Sequence, residues 1–138
     1  MNCPACGRAM TEMAVGDLKV DACSAGCGGL WFDTWELRKV EENAEAAAPL
    51  LELKPGAAIQ VDPERRRNCP RDPGVVMMRH FWSVKREVTV DECPQCGGMF
   101  LDAGELARIR AEYPSEAERH AAMQSLYGNM LAELTKQH

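Results

Sequence analysis

The apolar positions of this chain come in short runs, broken by glycine, proline and paired cysteines. Residues 9–14 and 18–22 flank Gly16 and Asp17, a pair suited to a tight turn, and predict a short β-hairpin. Residues 75–82 and 84–90 are rich in Val, Phe and Trp and predict a longer hairpin, with no glycine or proline at its tip. Two apolar trios follow, Leu30-Trp31-Phe32 and Met99-Phe100-Leu101, and read as the small core of each hairpin unit. After each trio the spacing becomes helical. Asp33 with Glu36, and Asp102 with Glu105, have the D-x-x-E form of a capping box. The first predicted helix covers residues 34–48 and stops at Pro49, and the second covers 103–113 and stops before Pro114. Ser115 and Glu118 open a last helix. Met123, Leu126, Tyr127, Met130, Leu131 and Leu134 form one apolar face on it.

These elements occur twice. Residues 27–37 read CGGLWFDTWEL and residues 96–106 read CGGMFLDAGEL, an offset of 69. Val20-Asp21 answers Val90-Asp91, and Cys3-Pro4 answers Cys69-Pro70. The chain therefore divides into a first unit (residues 1–48), a connector (49–68), a second unit (69–113) and a C-terminal helix (114–138). The connector carries three prolines and the run Arg65, Arg66, Arg67, and predicts little regular structure.

Composition changes this picture in one respect. The 138 residues include seven cysteines, six of them in short pairs, and an odd number does not close into a full set of disulfides. The start has no apolar stretch of signal-peptide length, and no segment approaches the ~18 apolar residues of a membrane span. The expectation is a reduced, cytoplasmic chain whose cysteines bind metal and which has no membrane contact. A net charge of −5 argues against a bulk basic surface for nucleic acid, and the acidic excess sits mainly in the first unit.

Two candidate metal centres follow. Cys3 and Cys6 with Cys23 and Cys27 place four thiolates on two tight turns at the open end of a hairpin. That arrangement suits structural Zn²⁺, with Zn–S near ~2.3 Å. A unit of this size gains from metal the folding free energy that burial alone does not give it. The second pair is C-x-x-x-C, one residue longer than usual, and Gly26 is expected to absorb the excess. At the second centre Cys93 and Cys96 form a regular knuckle, but Cys69 is followed three residues later by Asp72 instead of cysteine. Three readings stay open: Asp72 ligates through oxygen, His80 ligates in its place, or the centre has lost its metal. An open position would suit a zinc hydrolase at Asp72, but no H-E-x-x-H or H-x-E arrangement offers a base. No catalytic residue is assigned.

Through CPACG, CGGLWFDTWEL, CPRD and CPQCGGMFLDAGEL, the chain resembles the bacterial zinc ribbons grouped with that of transcription factor IIB. The likeness covers about residues 1–40 and 69–110. It implies a small metal-stabilised α+β fold: two tandem β-hairpin zinc ribbons, each followed by an α-helix, and two zinc ions. Cys3, Cys6, Cys23, Cys27, Cys69, Cys93 and Cys96 match its ligands, and Asp72 stands where that family often has Asp. Trp35 departs from the motif, which prefers glycine, and Pro73 departs from it in the second copy. The knuckles are also similar to those of rubredoxins, which implies an alternative: an iron electron-transfer protein.

The expected role is a non-enzymatic adaptor that binds a protein or a nucleic acid, with a regulatory effect as one form of it. Arg79, Trp82, Lys85 and Arg86 combine basic and aromatic character on the second hairpin, as an unpaired base and its phosphate require; strand packing is the plainer explanation. Arg65, Arg66 and Arg67 read as a solvated charge run or as an aid to that contact. The apolar face of the last helix packs on its own ribbons, on a partner, or on a second copy as a homodimer.

Overall fold

The computed structural model describes residues 1–42, 45, 47–56, 59–62, 64–82 and 88–111. Outside them lie the predicted C-terminal helix with its apolar face, the tip of the second hairpin, and Lys85 and Arg86. Strands β1 (Thr11–Val15) and β2 (Leu18–Ala22) form the first hairpin, with Val15 opposite Leu18. Strand β3 (Leu30–Phe32) pairs antiparallel with β2 and leads to helix α1 (Glu36–Glu42). A short helix α2 (Ala48–Leu51) lies in the connector. Strands β4 (Met78–Phe81) and β5 (Thr89–Glu92) pair with His80 opposite Val90, β6 (Met99–Leu101) pairs with β5, and α3 (Glu105–Ala111) follows.

The apolar trios are strands, and they join the repeats. The sheet has six strands in the order β1-β2-β3-β6-β5-β4. Leu30 faces Leu101, Trp31 faces Phe100 and Phe32 faces Met99. Trp31 thus meets its own repeat counterpart, and the order reads alike from both ends. The two halves are related by a local two-fold axis through the Trp31–Phe100 pair.

Both trios are buried on both faces, which is why they read as unbroken apolar runs rather than as alternation. Leu30, Phe32, Met99 and Leu101 point to one side and pack with Leu37 and Val40 of α1, Leu106 and Ile109 of α3, Leu50 of α2 and Trp82. Trp31 and Phe100 point to the other side, among Met77 and the buried cysteines. Each fully buried side chain of this class contributes about 1.5–3 kcal/mol. The second glycine of each CGG motif makes the contact possible. A Cβ on Gly98 would lie 2.1 Å from the Trp31 ring, and one on Gly29 would lie 2.3 Å from the Phe100 ring. Each aromatic therefore occupies the side-chain space of the other repeat's glycine.

Four local expectations change. The first strand begins at Thr11, because Ala9 bridges Asn2 beside the first knuckle. Pro49 does not end a helix but sits in the first turn of α2, where its missing N–H has no intrahelical acceptor to lose. Residues 75–77 do not extend β4 against β5. The Val75 carbonyl accepts from Cys69 N–H (2.8 Å), Val76 bridges Asn68, and Met77 N–H donates to the Arg67 carbonyl (2.8 Å). Arg67 is no solvated charge. It is buried, donates to Asp91 (3.1 Å) and Asp102 (2.8 Å), and lies over the Phe100 ring at 5.5 Å.

Candidate metal centres

The hairpins deliver their cysteines at one end, where tight turns supply each pair. In the first centre Cys23 N–H donates to the Gly29 carbonyl (2.9 Å), and Gly28 N–H closes the turn on the Cys23 carbonyl (2.9 Å). The second centre repeats this with Cys93 N–H on the Gly98 carbonyl and Gly97 N–H on the Cys93 carbonyl, both 2.9 Å. Gly28 (φ 79°) and Gly97 (φ 76°) hold the left-handed conformation that brings the chain out of the turn. Gly26 serves through its lack of a side chain: a Cβ there would lie 2.7 Å from the Cys23 sulfur and 3.1 Å from that of Cys6. The extra residue of C-x-x-x-C passes over the sulfurs at that point.

The structure brings Cys3, Cys6, Cys23 and Cys27 together in one cluster, and Cys69, Asp72, Cys93 and Cys96 in another. In each, the four ligand atoms lie within 4.8 Å of one another. Sulfur separations are 3.5 Å (Cys3–Cys27), 3.4 Å (Cys6–Cys23) and 3.6 Å (Cys69–Cys96). These far exceed the ~2.05 Å of a disulfide. They are close to the ~3.8 Å that tetrahedral Zn–S bonds of ~2.3 Å require. Backbone N–H groups support the sulfurs: Asp72 N–H lies 3.3 Å from Cys69 Sγ, and Cys96 N–H lies 3.4 Å from Cys93 Sγ.

The crowding splits the thiols. The hydrogen bond to Cys27, then burial, raise the Cys3 pKa. Burial opposes ionisation of Cys6, but N–H groups of Arg8 and Cys27 and the neighbouring thiols outweigh it and lower its pKa to about 6. Burial raises Cys69 to about 12. Burial opposes ionisation of Cys93 too, yet N–H groups of Cys96 and Gln95 outweigh it and lower its pKa. Each cluster therefore holds thiols of unequal acidity, and a bound dication favours the thiolate form of them all.

His80 belongs to neither cluster. Its Nε2 pairs with a Glu92 oxygen at 3.1 Å, and that bond raises its pKa. Trp82 is fully buried and offers no face to a base, and Arg79 is held by Asp91 (3.2 Å) and donates to the Arg65 carbonyl (3.0 Å). The capping boxes also differ from expectation. Glu36 does reach back to Asp33 N–H (2.6 Å), but the Asp33 carboxylate accepts from Trp31 Nε1 (3.1 Å) and from Arg71 through both oxygens, one at 2.6 Å. Burial opposes ionisation of Asp33, yet Arg71 and Trp31 outweigh it and lower its pKa.

Contacts between the repeats were not foreseen from the sequence. Thr34 donates its hydroxyl to the Cys96 carbonyl at 2.5 Å, and Arg71 spans from the second knuckle to Asp33 and Asp21. The available signal was the repeat itself: Thr34 and Ala103 hold equivalent positions, each against the first glycine of the other repeat's CGG motif.

Thiolate-rich tetrads at the ends of hairpins in an antiparallel sheet define a zinc-ribbon protein, and the two clusters fit two zinc ions. A transcription factor zinc-finger model, the transcription factor IIB-type zinc ribbon, matches residues 2–43 and 68–112, and the chain belongs to that family. Comparison with curated proteins and with solved structures gives no match.

Proposed function

We propose that the protein is a non-enzymatic adaptor in which both zinc ions are structural and the sheet presents a surface to a protein partner in the cytoplasm. One observation carries the structural role: in each centre a complete set of four ligand atoms comes from the protein, all within 4.8 Å. A full set leaves no position for a water to be activated. A protein partner is favoured over nucleic acid because the aromatic of the basic hairpin, Trp82, is buried, whereas Val76, Met78 and Phe81 at the β4 end of the sheet are exposed.

Metal analysis of the purified chain is expected to give two zinc ions, and a chelator should abolish its fold. One equivalent would mean that Asp72 does not complete the second centre, and bound iron would overturn the zinc assignment in favour of electron transfer. For the partner, capture of a protein from cell extract should be lost in Met78→Glu with Phe81→Glu. Capture of nucleic acid that weakens with salt would overturn the protein reading.

A further inference from the structure

We propose that the first repeat builds part of the second metal centre: Asp33 and Thr34 position its ligands, so the two ions bind with coupled affinities. The inference rests on the zinc-ribbon reading. Two contacts carry it. The Thr34 hydroxyl donates to the carbonyl of Cys96 (2.5 Å), itself a ligand residue, and it fits because Gly97 has no Cβ, which would lie 2.7 Å from that oxygen. Arg71 lies between Cys69 and Asp72 in the other knuckle, and its guanidinium grips both oxygens of Asp33, with Asp21 at 3.9 Å. The Asp33–Thr34 turn therefore holds both knuckles of the second centre at once.

The first centre receives neither contact. Ala103, the counterpart of Thr34, lies over Gly28 but has no hydroxyl, and Ala5 stands where the second knuckle has Arg71. The connector clasps this centre instead: Gly56 N–H donates to the Gly26 carbonyl (2.9 Å), and the Lys54 backbone closes over Gly28. The difference matches the donor sets. Zinc favours thiolate, and the second centre has one thiolate fewer because Asp72 replaces a cysteine. A knuckle pair already held in place loses less freedom on binding metal, which offsets a weaker ligand. By linkage, an ion in the first centre that orders the Asp33–Thr34 turn raises affinity at the second, and the reverse holds equally.

Cobalt substitution tests this on the full chain. A three-thiolate and a four-thiolate centre differ in charge-transfer intensity and ligand-field bands, so the two affinities are read separately in one titration. Thr34→Val and Asp33→Asn should each weaken the second centre about ten-fold, as loss of outer contacts to metal ligands does elsewhere. In a chain whose second centre is already emptied by Cys96→Ser, adding Thr34→Val or Asp33→Asn should change the affinity of the first centre less than about two-fold. Thr34→Ser, which keeps the hydroxyl, should retain wild-type affinity. Emptying the first centre with Cys6→Ser should weaken the second, and adding Asp33→Asn to that variant should weaken it little further, since both changes act through the same turn. Unchanged affinity at the second centre in Thr34→Val and Asp33→Asn overturns the positioning, and a second centre unaffected by Cys6→Ser overturns the coupling. A wild-type chain that takes up fewer than two cobalt ions overturns the zinc-ribbon reading and the coupling with it.

Discussion

The two metal centres stand on matching hairpins yet are held by different means. The first has four thiolates, and the connector lies across its longer knuckle. The second has three thiolates and a carboxylate, and is held by side chains of the other repeat. Charge follows the same division. Asp21 and Asp33 of the first repeat correspond to Asp91 and Asp102 of the second, and each pair meets one arginine from residues 67–71. Arg67 is buried with its pair, whereas Arg71 is about half exposed with its own. A duplicated backbone thus keeps its geometry while the polar groups around it diverge.

The arginines give the largest contrast. Arg67→Ala leaves Asp91 buried beside Arg79 alone and Asp102 without its partner, and should cost about 3–5 kcal/mol. Arg71→Ala, at a half-exposed pair, should cost at most about 1 kcal/mol beyond the roughly 1.4 kcal/mol that a ten-fold weaker second centre takes from the zinc-loaded chain. Denaturant unfolding of the zinc-loaded chains compares them, and equal losses would remove the distinction. Next come the paired glycines. Gly98→Ala and Gly29→Ala each push a methyl into the opposing aromatic and should cost about 1–3 kcal/mol, in similar measure if the two-fold relation is sound.

The capping glutamates offer a third comparison. Burial, reinforced by Asp102 and Asp91, raises the Glu105 pKa to about 9, and its Oε2 has no hydrogen-bond partner among the described residues. The unfolded chain releases this proton near pH 4.5, while the folded chain keeps it to about 9. The contribution to stability is therefore full below pH 4.5 and is lost as pH rises toward 9. Between pH 6 and 9, with zinc saturating, Glu105→Gln should flatten the decline, whereas Glu36→Gln should alter it less. A slope unchanged by Glu105→Gln would contradict the buried proton. The smallest effect is at Trp35, which holds a left-handed φ of 71° where its counterpart is Gly104 (φ 84°). Trp35→Gly should stabilise by up to about 1 kcal/mol, read as a small rise in Tm; a fall would show that ring packing outweighs the strain.

The centres were legible because ligand chemistry fixes residue type and spacing: four knuckles on two hairpins leave few partners for seven cysteines and Asp72. The sheet was not. β3 and β6 are three residues long, apolar on both faces, and pair across about seventy residues, so no local period announces them. Arg67 looked like part of a solvated run because the acids that bury it, Asp91 and Asp102, are distant in sequence. Trp82 looked available to a base for the same reason: the buried cluster it joins draws its residues from both repeats.

The pairing of Trp31 with Phe100 has a consequence for assembly. Each repeat carries both halves of that contact, an aromatic and the glycine that receives one, on a strand that is its own complement. A lone ribbon would therefore present a surface that fits a copy of itself. Joining two ribbons through the connector turns such a dimer, which dilution would dissolve, into a union at the millimolar effective concentration of tethered partners. The tether also frees the halves from identity, so that one can surrender a thiolate while its neighbour supplies the grip.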